Sequence, residues 1–134
     1  MMGGHSIAQG PGHVGVRTAD GGVEIEVAGN GYSQLVLVSA ADAGRVARDL
    51  RDGKEFSVRG SGGAQEAILW ARPASRAGWL RLSASTAMAY SDMQYPSVDI
   101  GPKVADRLAE LIDPNPLAGA THRRDNNLRE VFGD

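Results

Sequence analysis

Much of the chain is written in a period of two. Val14 and Val16 alternate with small or polar residues, and Val23, Ile25 and Val27 alternate with Glu24 and Glu26. Side chains of an extended strand point to opposite faces in turn, so each run predicts a strand with one buried face. The intervening "ADGG" supplies a tight turn, and "HVGVRTADGGVEIEVAG" reads as a hairpin over residues 13–29. A third strand, "SQLVLV", follows the turn "GNG".

The period then changes. In "SAADAGRVARDLRDG", Ala43, Val46, Ala47 and Leu50 recur at helical spacing. Ser39 is a natural N-cap, Asp42 sits near the positive end of the helix dipole, and Gly53 marks the stop. The second half repeats this plan. "KEFSVRG", with Phe56 and Val58 on one face, "AQEAILWARP" and "GWLRLSA" read as strands. A looser stretch, "STAMAYSDMQYP", leads to the strand "SVDI" and a second helix, "GPKVADRLAELIDP". Pro102 suits a first helical position, Asp113 closes the run and Pro114 prevents continuation. Val104, Leu108, Leu111 and Ile112 form its core stripe.

The two helical units align without a gap. Val36 falls on Val98, Val38 on Ile100, Ser39 on Gly101, Val46 on Leu108 and Leu50 on Ile112. The fold expected is α+β: a curved antiparallel sheet built as two strand–strand–strand–helix halves, residues 13–53 and 54–113, with both helices packed on one side. Residues 1–12 read as a flexible Gly/His/Ser/Pro lead-in. Residues 114–134 read as a C-terminal tail, with a short helix over 123–132 carrying Leu128, Val131 and Phe132.

At 134 residues the chain has the size of one domain, and with no cysteine it can form neither disulfides nor thiolate metal sites. The opening residues lack the basic and apolar regions of a signal peptide, and no run is long enough for a membrane helix. These features predict a cytoplasmic protein that does not engage a membrane. The net charge of −2 does not suit a uniformly basic nucleic-acid binder. Its distribution, however, is uneven. Residues 1–53 carry four Arg against six acidic side chains, and residues 86–134 carry five basic against eight. Residues 54–85 carry five basic side chains against two acidic ones and form the only net-positive segment.

That segment also holds both tryptophans. In "AILWARPASRAGWLRLSA", Ala67, Leu69, Ala71, Leu80, Leu82 and Ala84 share one parity, the one suited to a helix-covered core. Trp70, Arg72, Trp79 and Arg81 fall on the other, with Arg59 on the matching parity of its strand and Arg76 in the intervening loop. Exposed indole beside guanidinium offers a stacking platform with phosphate-pairing groups. The same residues also suit the centre of a protein interface, or ordinary packing with Arg stems laid over the rings.

The layout "AILWARPASRAGWLRLSAS", followed later by "SVDIGPKVADRLAELIDP", resembles the PUR repeat and the related Whirly and PC4-type single-stranded nucleic-acid-binding domains. The resemblance spans about residues 14–113 and is one of layout and apolar spacing. It implies nucleic acid bound on the sheet face opposite the helices, with Arg59, Trp70, Arg72, Arg76, Trp79 and Arg81 as contacts. The expected function is a non-enzymatic single-stranded DNA- or RNA-binding or regulatory protein. A protein–protein or sequestering module, or a small-ligand pocket between subunits, is the alternative. Exposed sheet edges and terminal tails point to a homo-oligomer. His5, His13 and His122 do not sit at metal-ligand spacing with acidic residues, "RGSGGAQ" lacks the lysine of a phosphate-binding loop, and no nucleophile elbow occurs. No cofactor or metal is therefore expected. Lys103 at a helix start is a weak anion site, and the Glu24–Glu26 pair reads as an edge-solubilising feature.

Overall fold

The period-two runs form strands in a computed structural model that describes residues 4–86, 95–113 and 128–132. In chain order the elements are β1 (Gly4–Gln9), β2 (Gly12–Ala19), β3 (Gly22–Gly29), β4 (Tyr32–Ser39), α1 (Ala40–Asp52), β5 (Phe56–Gly62), β6 (Gln65–Pro73), β7 (Leu80–Thr86), β8 (Ser97–Ile100), α2 (Pro102–Ile112) and β9 (Leu128–Phe132). All described strands belong to one sheet, in the order β8-β7-β6-β5-β4-β3-β2-β1-β9. Pairing is antiparallel throughout except between β1 and β9, which run parallel. The fold is α+β, a curled sheet with both helices on one side, as the alternation predicts.

Parity decides what the curl encloses. Val14 and Val16, Val23, Ile25 and Val27, Val36 and Val38, Leu69 and Ala71, and Leu80 and Leu82 all face one buried core. The helices add Ala43, Val46, Ala47 and Leu50 from α1, and Val104, Ala105, Leu108, Ala109 and Ile112 from α2. Leu111, expected in that stripe, is only partly buried at its margin. The Ser39 hydroxyl accepts a hydrogen bond from the Asp42 N–H at 3.2 Å, and Gly53 ends α1 at φ 66°, a left-handed value that suits glycine. α1 packs on α2, and Arg51 reaches Asp113 at 3.0 Å to join their C-terminal ends.

Three features depart from the sequence reading. Residues 4–9, expected to be flexible, form β1, with Ile7 buried opposite Val14. The segment is too short, with Ile7 and Ala8 adjacent, to show a period, and long-range pairing with β2 makes it a strand. The first half therefore carries four strands before its helix, β1–β4 with α1, rather than the expected three, and it matches the four of the second half, β5–β8 with α2. In the tail, residues 128–132 form a strand, not the end of a helix; residues 123–127 lie outside the described residues. Alternating "LREVF" fits either period over five residues, and tertiary contacts decide. Glu130 is held by the Arg107 guanidinium of α2 at 2.7–2.9 Å, and Phe132 packs against the core. These two carboxylate partners, Glu130 foremost and Glu110 beside it, hold the Arg107 pKa above its ordinary value.

The curl brings β8 onto the ends of β2 and β3. A Cβ on Gly29 would stand 2.3 Å from the Ser97 carbonyl oxygen, and one on Gly12 would meet Val98 at 2.7 Å. Gly29→Ala should therefore destabilise the fold by about 1–3 kcal/mol, the usual range for overpacking against backbone that must shift. Gly44 lies inside α1 with nothing within 4 Å of an added Cβ. Gly44→Ala should stabilise by roughly 0.5–1 kcal/mol through helix propensity. Urea denaturation of the two variants against the parent checks both signs.

Candidate functional site

On β6 and β7 the register sets Trp70 opposite Ser83 and Arg72 opposite Arg81. Ala67, Leu69, Ala71, Leu80, Leu82 and Ala84 are buried in the core, so Trp70, Arg72 and Arg81 are left on the outer face. Trp70 is half-buried there; its ring meets Tyr95 edge-on, with centroids 5.0 Å apart at 65°. Edge-to-face geometry aligns the positive rim of one ring with the negative face of the other. Arg81 forms a two-pronged bond to Asp99 of β8, at 2.7 Å from Nε and 3.2 Å from Nη2. That carboxylate holds the Arg81 pKa above its ordinary value.

Of the other three candidate residues, Trp79 borders this cluster across a cleft shared with Arg81 and Tyr95, Arg76 stacks on Trp79, and Arg59 stands apart. Trp79 precedes β7 instead of lying on it, so strand parity does not govern its side chain. Its indole lies against the start of α2, where a Cβ on Gly101 would come within 3.0 Å of the ring. The Arg76 guanidinium covers that indole at 4.3 Å from the centroid, so one ring face is already occupied. Arg59 is exposed towards the β5–β6 turn and lies 3.8 Å from Glu66. Parity on β6 and β7 thus brings together Trp70, Arg72 and Arg81, while Trp79 and Arg76 pair with each other beside Arg81 and Arg59 lies apart. Tyr95 and Asp99 went unnoticed in the sequence. Asp99 had a signal, since "SVDI" puts Val98 and Ile100 inward and Asp99 outward; Tyr95 follows a stretch with no readable period.

Two adjoining hollows flank this cluster. A groove of about 900 Å³ runs over Phe56, Ile68, Trp70, Arg72, Arg81 and Tyr95, with the carboxylate-bearing Glu55 at its lining. A cleft of about 560 Å³ lies between the β1–β2 and β3–β4 turns and β8, and it shares Arg81 and Tyr95 with the groove.

Comparing the two halves through their registers shows what is unusual here. With Val36 placed on Val98, the pairings carry Ile25 onto Leu82, Val16 onto Ala71 and Ile7 onto Val58, all buried. On the outer face Arg17 falls on Arg72, Glu24 on Arg81, Gly15 on Trp70 and Leu37 on Asp99. In the first half Arg17 bonds directly across to Glu24, and His13 lies 3.7 Å from Glu26. In the second half the same cross-strand position sets two arginines face to face. Asp99 takes up Arg81, and among the described residues Arg72 has no acidic partner. Like charges placed directly opposite are destabilising, so this half gives up stability that the other half keeps.

Among the described residues no three His, Asp or Glu side chains gather as metal ligands, and no described helix is long and apolar enough to cross a membrane. Comparison with protein-family models, curated proteins and solved structures gives no match to this chain.

Arg72→Glu would set an opposite-charge pair with Arg81 at this cross-strand position, with the order of the Arg17–Glu24 pair reversed. It should raise stability by about 0.2–1 kcal/mol, the worth of an opposite-charge cross-strand pair. A rise in the urea midpoint with an unchanged slope is the expected reading.

Proposed function

We propose that the outer face of β5–β8 binds single-stranded nucleic acid, DNA or RNA, and that the protein acts by binding, not by catalysis. The observation that carries this reading is Arg72, opposed by Arg81 and flanked by the Trp70–Tyr95 ring pair, at positions where the first half holds Gly15 and a neutralised Arg17. A phosphate seated between two facing guanidiniums turns their repulsion into two attractions. Each can bond an oxygen through paired N–H groups, which a lysine cannot do. An unstacked base can then lie over the Trp70–Tyr95 wall, an interaction worth about 1–3 kcal/mol per base in single-strand binders.

The layout adds support. Strands followed by a helix, twice, with both helices on one side of a curled sheet, turn the other sheet face away from the helices. This is the feature on which the resemblance to PUR, Whirly and PC4-type domains rests. It accommodates the acidic net charge, because the cationic field is confined to one half of one face.

A labelled single-stranded oligonucleotide, titrated at about 50 and about 200 mM salt while Trp fluorescence is followed, tests the reading; with two phosphate contacts, affinity should fall about sevenfold between them. Trp70→Ala should weaken binding by about 5- to 150-fold, the equivalent of one stacked base. Arg72→Glu should abolish it while raising stability. Wild-type affinity in Arg72→Glu would sink the proposal. No binding at all, with Trp emission that changes on dilution, would instead mark the face as a subunit interface.

A further inference from the structure

The cleft beside the cationic groove exists because one hairpin is shorter than its counterpart. In the second half, β5 and β6 run out to the turn after Gly62, and Ser61 pairs with Leu37 to zip β5 onto β4. In the register alignment of the halves, Ser61 corresponds to Gly10 and Leu37 to Asp99. The first hairpin, however, has already turned at Gly10 and Pro11, so no strand is there to meet β8. Gly10 and Asp99 line the 560 Å³ cleft instead of pairing. Among the described residues β8 is hydrogen-bonded to a strand on one side only, by β7.

The cleft is therefore bordered by a strand edge, whose backbone donors and acceptors have no partner strand, and by turn backbone at Gly10 and Asn30. Its side chains are of the kind that read a flat heteroaromatic ring. Trp79 and Tyr95 supply aromatic rings and Asn30 an amide with donors and an acceptor, while Ser97 and Asp99 contribute polar groups already partnered by the Ser83 hydroxyl, at 2.9 Å, and by Arg81. Arg81 and Tyr95 line both hollows, so a strand held at Arg72 can direct a neighbouring base into this one.

Building on the nucleic-acid reading above, we propose that the cleft receives one nucleobase of the bound strand and selects it through hydrogen bonds to its edge. Binding is then base-selective, in contrast to a purely stacking and electrostatic groove, which tolerates every base. Good edge contacts discriminate by about 1–3 kcal/mol per base.

The test uses the full chain and three labelled single-stranded DNA homopolymers of about ten residues, oligo(dA), oligo(dC) and oligo(dT), within the site sizes typical of single-strand grooves. Anisotropy should separate the tightest from the weakest by at least about fivefold. Ser97→Ala and Asn30→Gly remove cleft groups outside the groove; Asn30 has φ 57°, a value glycine adopts freely, so its turn is kept. Both variants should bring the three affinities together, whereas Arg72→Ala should lower all three alike. If all three probes bind equally to the parent chain, the cleft inference falls and the groove reading stands. If a preference survives both cleft variants, it arises elsewhere and the assignment is wrong. If no probe binds, both proposals fall.

Discussion

A curled sheet can approach itself only where no side chain stands in the way, and here that place is the pair Gly12 and Gly29. Their missing Cβ atoms let the β8 backbone rest against the ends of β2 and β3. Gln9 spans the same seam from β1: its carbonyl accepts the Gly101 N–H, and its amide donates to the Phe132 carbonyl, each at 3.4 Å. A nearly buried amide satisfied on both ends costs little, whereas one left open would cost a few kcal/mol, so the contact is specific as well as close. The outer face depends on it. With β8 fixed in that position, Asp99 reaches Arg81 and Tyr95 reaches Trp70; a looser edge would leave two arginines opposed with nothing to hold either one.

The halves share a core and differ in what they turn outward. The buried positions of β2–β4 and their counterparts on the inward face of β6–β8 are apolar in both, because burial against the helices favours nothing else there; on β1 the inward Gln9 is the polar exception. Outside the buried Ser83 and Ser85 the outward positions are less constrained by packing, and there the first half pairs Arg17 with Glu24 while the second sets Arg72 against Arg81. A charge reversal at one cross-strand position, with Asp99 taking up one of the two arginines, thus separates a self-neutralised pair from one that leaves Arg72 without an acidic partner among the described residues.

The core was legible in the sequence because burial imposes a period. Val14 through Val38, the α1 stripe and its Ser39 and Gly53 caps, and the inward set on β6 and β7 all follow from alternation and end signals. What escaped was decided by contacts distant in sequence. β1 is held by β2 on one side and by β9 on the other, and β9 in turn by Arg107; none of these leaves a period in six or five residues. Trp79 shows the limit of parity itself. The turn at Gly78, with φ 82°, postpones the strand by one residue, and the indole swings to the start of α2. The opposition of Arg72 and Arg81 depends on strand register, which parity leaves open by steps of two residues.

Register also explains how the hollows arise from an otherwise closed scaffold. A sheet strand with a free edge is ordinarily a liability, since it offers backbone groups to any passing strand. Here the edge of β8 is recessed between two turns and overlooked by Arg81 and Tyr95, so access is narrow and charged, not flat and apolar. Lengthening the first hairpin by two residues per strand would match it to the second, bring the Ser61 equivalent against Asp99, and fill the cleft with protein. The short β1–β2 turn thus has an effect on the opposite edge of the sheet. It leaves open the one stretch of backbone adjacent to the cationic groove, where a ligand reaching past Arg81 meets hydrogen-bonding groups in place of a neighbouring strand.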